Sequence, residues 1–151
     1  VSRWTAALKG VDHALGNAAA ALTERLERTR PEEGTPRLVH GNYTTRHVLD
    51  ADGDAVLIDW SQAGQGPPEI DAGMFLATLD RTLLAHRSLT RDAMRAEAGF
   101  LNGTGGVLDK AALGWHRAAS LLGLAQESLG RRTGQGVALA LALLEAALSL
   151  P

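Results

Sequence analysis

The chain has 151 residues and a mass of 15.9 kDa, a length typical of one domain. It contains no cysteine, which excludes disulfide frameworks and thiolate metal sites. Its net charge of −2 at pH 7 lacks the basic excess of a nucleic-acid-binding protein, and no apolar run has the length of a membrane span. We therefore expect a single domain over residues 1–151 that is cytoplasmic and binds neither nucleic acid nor membrane.

Apolar spacing divides most of the chain into helices. Steps of three and four residues from Trp4 to Leu26 predict one amphipathic helix, which ends near Arg30 because Pro31 and Gly34 follow. Four more helices are expected in the second half of the chain, at residues 71–86, 90–101, 109–129 and 137–150.

A short β element is expected between the first helix and the later ones. Residues 37–40, 48–49 and 55–58 are brief apolar runs. Residues 50–54 read Asp-Ala-Asp-Gly-Asp, which predicts a tight turn and a β-hairpin between the last two runs. Residues 60–68 are rich in glycine and proline and are predicted to form a loop. The expected fold class is α+β, mostly α.

Three polar side chains are expected to meet at one end of this β element. Asn42 and His47 lie in the loop between the first two strands, and Asp59 follows the third. An acidic residue at a strand end, with a loop side chain beside it, suits the chemistry of a metal ion and a phosphate. The candidate catalytic residues are therefore Asn42, His47 and Asp59, with His47 and Asp59 as candidate metal ligands.

The stretch from His40 to Asp71 resembles the C-terminal lobe of aminoglycoside phosphotransferases and of the related choline, homoserine and fructosamine kinases. That family has a His-Gly-Asp loop, an Asn after four more residues, a strand ending in Ile-Asp-Trp or Ile-Asp-Phe, and a Gly-x-Gly-Pro…Asp segment. The matching residues here are His40, Gly41, Ile58, Asp59, Trp60, Gly64, Gly66, Pro67 and Asp71. The resemblance implies a protein-kinase-like fold, seen as a free-standing C-terminal lobe whose hairpin carries a remnant of the catalytic loop.

The resemblance also implies roles for individual residues. Asp59 would bind the Mg²⁺ that bridges the nucleotide phosphates. His40 and Asp71 would be structural residues of the loop, and Asp71 is expected to cap its helix and to accept hydrogen bonds from the loop backbone. The candidate substrate-binding residues beside the loop are Tyr43, Arg46 and Trp60.

Two positions depart from the family pattern. Asn42 stands where the family has the Asp that serves as base, or orienter, for the acceptor hydroxyl, and an amide has no basic function. His47 stands where the family has a metal-binding Asn, and imidazole suits zinc, nickel, copper or iron rather than Mg²⁺. With Asp59 as acidic partner, His47 is also a candidate general base.

The family resemblance further implies a small N-terminal lobe that carries a phosphate-binding Lys. Only 39 residues precede His40, and both lysines, Lys9 and Lys110, fall in predicted helices. We therefore expect ATP and Mg²⁺ to bind only with a partner chain that supplies this lobe, and no other cofactor. The upper surface would be left uncovered and the first helix exposed, which predicts a homodimer or a covering partner chain.

Three functions stay open at this point. The first is a degenerate or split phosphotransferase that acts on a small molecule or a peptide, in biosynthesis or resistance. The second is a pseudokinase-type module that binds such a ligand without turnover. The third is a nucleotide-independent enzyme of the isomerase or cyclase type, with His47 and Asp59 as its working pair. Autonomous kinase activity is not expected.

Overall fold

The computed structural model describes residues 2–32, 34–131 and 133–151. Within these ranges the helices are Ser2–Lys9 (α1), His13–Arg28 (α2), Glu69–Ala85 (α3), Thr90–Gly103 (α4), Lys110–Ser128 (α5) and Gly134–Ser149 (α6). The strands are Arg37–Val39 (β1), Val48–Ala51 (β2), Asp54–Leu57 (β3) and Gly64–Gly66 (β4). The predicted α+β class with mostly helical content is confirmed.

The single helix predicted from Trp4 to about Arg30 is in fact two helices, α1 and α2. Asp12 caps α2, because its side chain accepts the backbone N–H groups of Ala14 and Leu15 at 2.8 and 3.2 Å. The sequence does not reveal this break because the apolar stripe continues across it. Leu8 on α1 and Leu15 on α2 are both fully buried. The expected exposure of the first helix is therefore wrong, because its apolar side packs into the core.

The main core lies where α2, α5 and α6 meet, with α1 and α3 beside them. Its fully buried leucines include Leu22, Leu121, Leu122, Leu143 and Leu144. The Arg25 guanidinium donates hydrogen bonds of 2.6–3.1 Å to carbonyl groups at the end of α6, those of Ala147, Leu148 and the C-cap residue Leu150. This satisfies carbonyl groups that the helix end leaves without partners and ties α2 to α6.

A close contact and an ion-pair network join α3 to its neighbours. A Cβ atom at Gly73 would lie 2.6 Å from the backbone nitrogen of Arg117, so glycine permits the approach of α3 to α5. Arg117 also pairs bidentately with Asp80 at 2.6 and 2.7 Å and with Glu97 on α4 at 2.7 Å. Burial alone lowers the pKa of Arg117, but hydrogen bonds and charge from both carboxylates raise it above its usual value. Arg117 is therefore permanently charged.

The β strands form two separate two-stranded antiparallel sheets. In the first, β2 pairs with β3 through the turn at Asp52 and Gly53, whose φ angles of 56° and 94° suit the tight hairpin turn that was predicted. In the second, β1 pairs with β4, with Leu38 opposite Gln65. The predicted loop over residues 60–68 is thus partly wrong, because Gly64–Gly66 forms a strand by backbone pairing.

The four later helices are confirmed, with small differences at their ends. Helix α3 begins at Glu69, two residues before the predicted start, and α6 begins at Gly134 behind the N-cap Thr133. Asp109 caps α5 by accepting the backbone N–H of Ala112 at 2.7 Å. Among the residues that the structure describes, no helix combines the length and apolar character of a membrane span.

Candidate functional site

The loop at residues 40–47 is anchored by a carboxylate from α3. Asp71 accepts the backbone N–H of His40 at 2.6 Å through Oδ2 and that of Gly41 at 2.9 Å through Oδ1. The expected capping role of Asp71 is wrong, because α3 begins two residues earlier and Pro68 occupies the N-cap position. The carboxylate therefore holds the loop and not the helix end.

Two further features fix the shape of this loop. Gly41 has a φ of +79°, and a Cβ atom there would collide with the carbonyl oxygen of Gln62. The buried His40 ring lies 2.8 Å from the carbonyl of Ile58 through Nε2, and its Nδ1 accepts the backbone N–H of Asn42 at 3.3 Å. A carbonyl only accepts, so Nε2 carries the proton. Both nitrogens of His40 are used in holding the loop.

Asn42, His47 and Asp59 form a connected row at the end of the hairpin. The backbone carbonyl of Asn42 accepts a 2.8 Å hydrogen bond from Nδ1 of His47. The other ring nitrogen of His47, Nε2, lies 3.5 Å from Oδ2 of Asp59. The His47 side chain is 14% exposed, and that of Asp59 is 47% exposed. The structure thus brings together the three residues proposed as catalytic.

The backbone at Asp59 is in an unusual conformation. Its φ of 63° and ψ of 59° place it in the left-handed region, which costs a residue with a Cβ about 1–2 kcal/mol. The Ser61 hydroxyl donates a 2.8 Å hydrogen bond to Oδ1 of Asp59, which leaves Oδ2 directed toward His47. Strain of this kind, held by neighbouring groups, is typical of functional positions.

A cavity of about 440 Å³ opens beside Asn42, between the loop and helices α1, α3 and α5. Its volume lies within the range of small-molecule sites. The polar and charged residues in its wall are Asn42, Thr44, Arg46, Arg81, His116, Ser120 and Glu127, and the apolar ones include Trp4, Ile70 and Leu124. Arg81 pairs with Glu127 at 3.0 Å, whereas Arg46 is exposed and carries an additional positive charge.

A second cavity of about 490 Å³ involves the other residues of the loop. Its wall contains Tyr43 and Trp60, together with Phe100 from α4. Burial, and then the negative charge of Asp71, raise the pKa of Tyr43 above its usual value, so its hydroxyl stays protonated. The structure therefore divides the candidate substrate-binding residues, with Arg46 in the first cavity and Tyr43 and Trp60 in the second.

Several cavity residues were not predicted from the sequence. Trp4 lies on α1, and its indole packs 3.4 Å from where a Cβ atom of Gly123 would stand. Ser120 and Glu127 lie on α5, about eighty residues after the loop. Such residues meet the loop only through helix packing, and the sequence carries no local signal for them. The sequence places Trp4 on the apolar stripe of the first predicted helix, but that stripe indicated packing in the core and not a position in a cavity wall.

The geometry limits the chemistry of His47. Its Nδ1–H is committed to a carbonyl group, and its Nε2 faces the carboxylate of Asp59. A general base needs one nitrogen directed at the proton that it removes. Neither nitrogen of His47 is directed at a separate substrate, so this arrangement does not favour an acid–base pair. It suits a cation held between Nε2 and Oδ2, or an ion pair of the two side chains.

A helical domain that presents a His-Gly loop, anchored by an acidic residue of the following helix, is the arrangement that the family resemblance led us to expect. The model of the phosphotransferase enzyme family, APH, matches residues 1–121, and the chain belongs to this family. Both the predicted family and the kinase-like fold are thereby confirmed. A comparison with curated proteins finds no match.

Two solved structures share the fold, both of a thermostable mutant of aminoglycoside phosphotransferase APH(4)-Ia. One is the apo form, with a TM-score of 0.66, and the other is a ternary complex with AMP-PNP and hygromycin B, with a TM-score of 0.67. Both are 20% identical to this chain. Each alignment covers 93% of this chain and 46% of the other, so the chain spans less than half of the length of these structures.

The donor set fits magnesium only in part. Asp59 offers a free carboxylate oxygen, but the second side chain at the site is an imidazole, and Mg²⁺ prefers oxygen ligands. Among the described residues there is no cluster of three or more histidine and acidic side chains that would hold a metal ion. The pair of magnesium ions used in kinase-type phosphoryl transfer therefore does not match these residues.

Proposed function

We propose that the chain binds a small molecule in the cavity beside Asn42, as the loop-bearing part of a phosphotransferase-family protein whose loop lacks a base. The observation that carries the proposal is the placement of Asn42. The loop keeps its anchored shape through His40, Gly41 and Asp71, yet an amide lines the cavity where the family has a carboxylate. The site is thus built for a ligand but not for removing its hydroxyl proton.

The charges of the cavity favour a neutral or anionic ligand. Arg81 and Glu127 neutralise each other, and Arg46 leaves a net positive charge at the wall. Asn42 and Ser120 offer hydrogen bonds to hydroxyl groups, and Trp4 offers an apolar face. Hygromycin B, the ligand in the complex of the structural neighbour, carries amino groups that Arg46 would repel.

A thermal-shift and calorimetric screen tests this proposal. The panel contains hydroxylated carboxylic acids and sugar phosphates, with hygromycin B as the cationic comparison. We expect binding from the first two groups and none from hygromycin B. Ser120→Trp fills the cavity and is expected to weaken binding at least tenfold, whereas Ala96→Trp, on the exposed face of α4, leaves it unchanged. Binding that survives Ser120→Trp would place the ligand elsewhere.

A split phosphotransferase is the second candidate, and Asp59 is the observation that favours it. By the family resemblance, this carboxylate occupies the position that binds the nucleotide-bridging cation, and AMP-PNP is present in the neighbour's complex. We propose that nucleotide binds only together with a further lobe, supplied by another chain or another segment. ATP and Mg²⁺ added to this chain alone are then expected to leave the melting temperature unchanged. A stabilisation that disappears in Asp59→Ala would show autonomous nucleotide binding instead.

The hairpin surface is proposed as the place where a second copy or a partner chain packs. Leu49 and Val56 are paired across β2 and β3 and are 45% and 43% exposed, and Leu38, in the other two-stranded sheet, is 74% exposed. Apolar patches of this kind mark interfaces. Light scattering should show a dimer that Leu49→Lys with Val56→Glu converts to monomer. A monodisperse wild-type monomer that captures no partner would argue against this surface.

A further inference from the structure

The imidazole of His47 is prepared for a metal ion by its hydrogen bond to the loop. The Asn42 carbonyl can only accept, so Nδ1 of His47 must carry the proton in this 2.8 Å contact. In the neutral ring this leaves a lone pair on Nε2, on the side that faces Asp59. A histidine ligand fixed by a backbone carbonyl through its other nitrogen is the usual outer-shell arrangement of metal sites.

The separation of the two side chains matches a shared cation. The distance of 3.5 Å between Nε2 of His47 and Oδ2 of Asp59 is longer than a well-formed hydrogen bond. Two ligands at about 2.1 Å from a tetrahedral ion stand roughly 3.4 Å apart. Oδ1 of Asp59 is already bonded to Ser61, so Oδ2 is the oxygen left for the ion.

The donor types select the kind of ion. One imidazole nitrogen and one carboxylate oxygen suit zinc and its first-row neighbours, whereas Mg²⁺ demands an oxygen shell. No third histidine or acidic ligand completes the set within the described ranges, so the other coordination positions are left to water or ligand oxygens. Such an open site differs from a closed structural zinc centre.

We propose that His47 and Asp59 form a binding site for a first-row transition-metal cation, zinc or cobalt, in preference to Mg²⁺. His47 then changes the metal preference of the loop and does not act as a base. The proposal is independent of the ligand in the Asn42 cavity, because metal binding is measured on the chain alone.

Cobalt and zinc titrations test the site without any assay of activity. Wild-type protein is expected to bind one Co²⁺, seen in its visible absorption, at least tenfold more tightly than Mg²⁺ as measured by calorimetry. His47→Asn should lose at least tenfold in Co²⁺ and Zn²⁺ affinity while Mg²⁺ binding is unchanged or improved. Asp59→Asn should weaken every ion. His86→Asn, an exposed histidine outside the site, is the matched control and should behave as wild type.

A second measurement on the wild-type protein keeps the test valid if a variant fails to fold. In ¹⁵N-histidine spectra, Zn²⁺ should shift Nε2 of His47 and leave His86 unchanged, among the five histidines of the chain. Equal shifts of all histidines, equal affinity for Mg²⁺ and Co²⁺, or undiminished Co²⁺ binding by His47→Asn would each overturn the proposal. A His47 spectrum that responds to pH but not to metal would identify an imidazolium–carboxylate ion pair only.

Discussion

Removal of the Asp71 carboxylate should destabilise the loop by a predictable amount. In Asp71→Ala the backbone N–H groups of His40 and Gly41 lose their acceptors at 2.6 and 2.9 Å. Hydrogen bonds to a charged group contribute about 1.5–3 kcal/mol each, and partly buried donors left unpaired lose that contribution. We therefore expect Asp71→Ala to lower the free energy of unfolding by about 3–6 kcal/mol, a large part of the stability of a small domain.

The conservative variant Asp71→Asn should lose only part of this free energy of unfolding. Asp71→Asn keeps one carbonyl oxygen as acceptor but turns an NH₂ group toward the second backbone N–H, so roughly half of the loss is expected. Asp54→Ala, which removes an exposed carboxylate from β3, should change stability by no more than about 0.5 kcal/mol. The series therefore separates the role of the anchor from a general effect of lost negative charge.

Urea unfolding, followed by tryptophan fluorescence, gives the free energies for this series. Amide hydrogen exchange gives the local readout, and the amides of His40 and Gly41 should lose protection in Asp71→Ala before the helices do. Stability within 0.5 kcal/mol of wild type (about the spread of surface substitutions), or unchanged exchange at both amides, would refute the assignment of Asp71 as the anchor of the loop.

Three further substitutions probe separate features. Gly41→Ala should cost at least about 2 kcal/mol in urea unfolding, because its φ of +79° disfavours a Cβ atom and a carbonyl occupies that space. Arg117→Met should lower the free energy of unfolding by about 3–5 kcal/mol, because Asp80 and Glu97 remain as poorly solvated, unpaired carboxylates. In the triple variant, which adds Asp80→Asn and Glu97→Gln to Arg117→Met, the loss should be smaller because the two negative charges are removed. Burial lowers the pKa of His116 below 6.5, and a nearby acidic charge opposes this effect only in part. Because the histidine of the unfolded chain then binds a proton more readily than that of the folded chain, the free energy of unfolding falls as the pH drops through 6.5. His116→Gln should remove that part of the loss between pH 7.5 and 5, and an unchanged wild-type slope in this variant would contradict the assignment.

Local signals were sufficient for the hairpin and for most helices. The Asp52-Gly53 turn supplies two residues that accept positive φ, so it predicts strand pairing without long-range information. Asp109 provides a helix start in the same way, by an oxygen that accepts a backbone N–H. These features depend on neighbours within three or four residues, which a sequence displays directly.

Features that depend on distant contacts were missed or misread. The strand at Gly64–Gly66 exists because its backbone meets Arg37–Val39, and its own residues are typical of a loop. The break before Asp12 was hidden by an apolar stripe that continues across two helices. The motif brought Asn42, His47 and Asp59 close together in the prediction, but neither the left-handed backbone of Asp59 nor the direction of the His47 nitrogens could be read from residue types.

The β2–β3 hairpin also sets the spacing of the residues at its open end. His47 precedes β2 and Asp59 follows β3 by two positions, so the Nε2–Oδ2 distance of 3.5 Å depends on the registration of four residue pairs. The Asp52-Gly53 turn lies about 13 Å away, four strand residues of roughly 3.3 Å each. A slip of one residue in this register would turn the side chains of one strand to the opposite face of the sheet. A substitution at the tip that shifts this register would therefore move His47 relative to Asp59 without altering either residue.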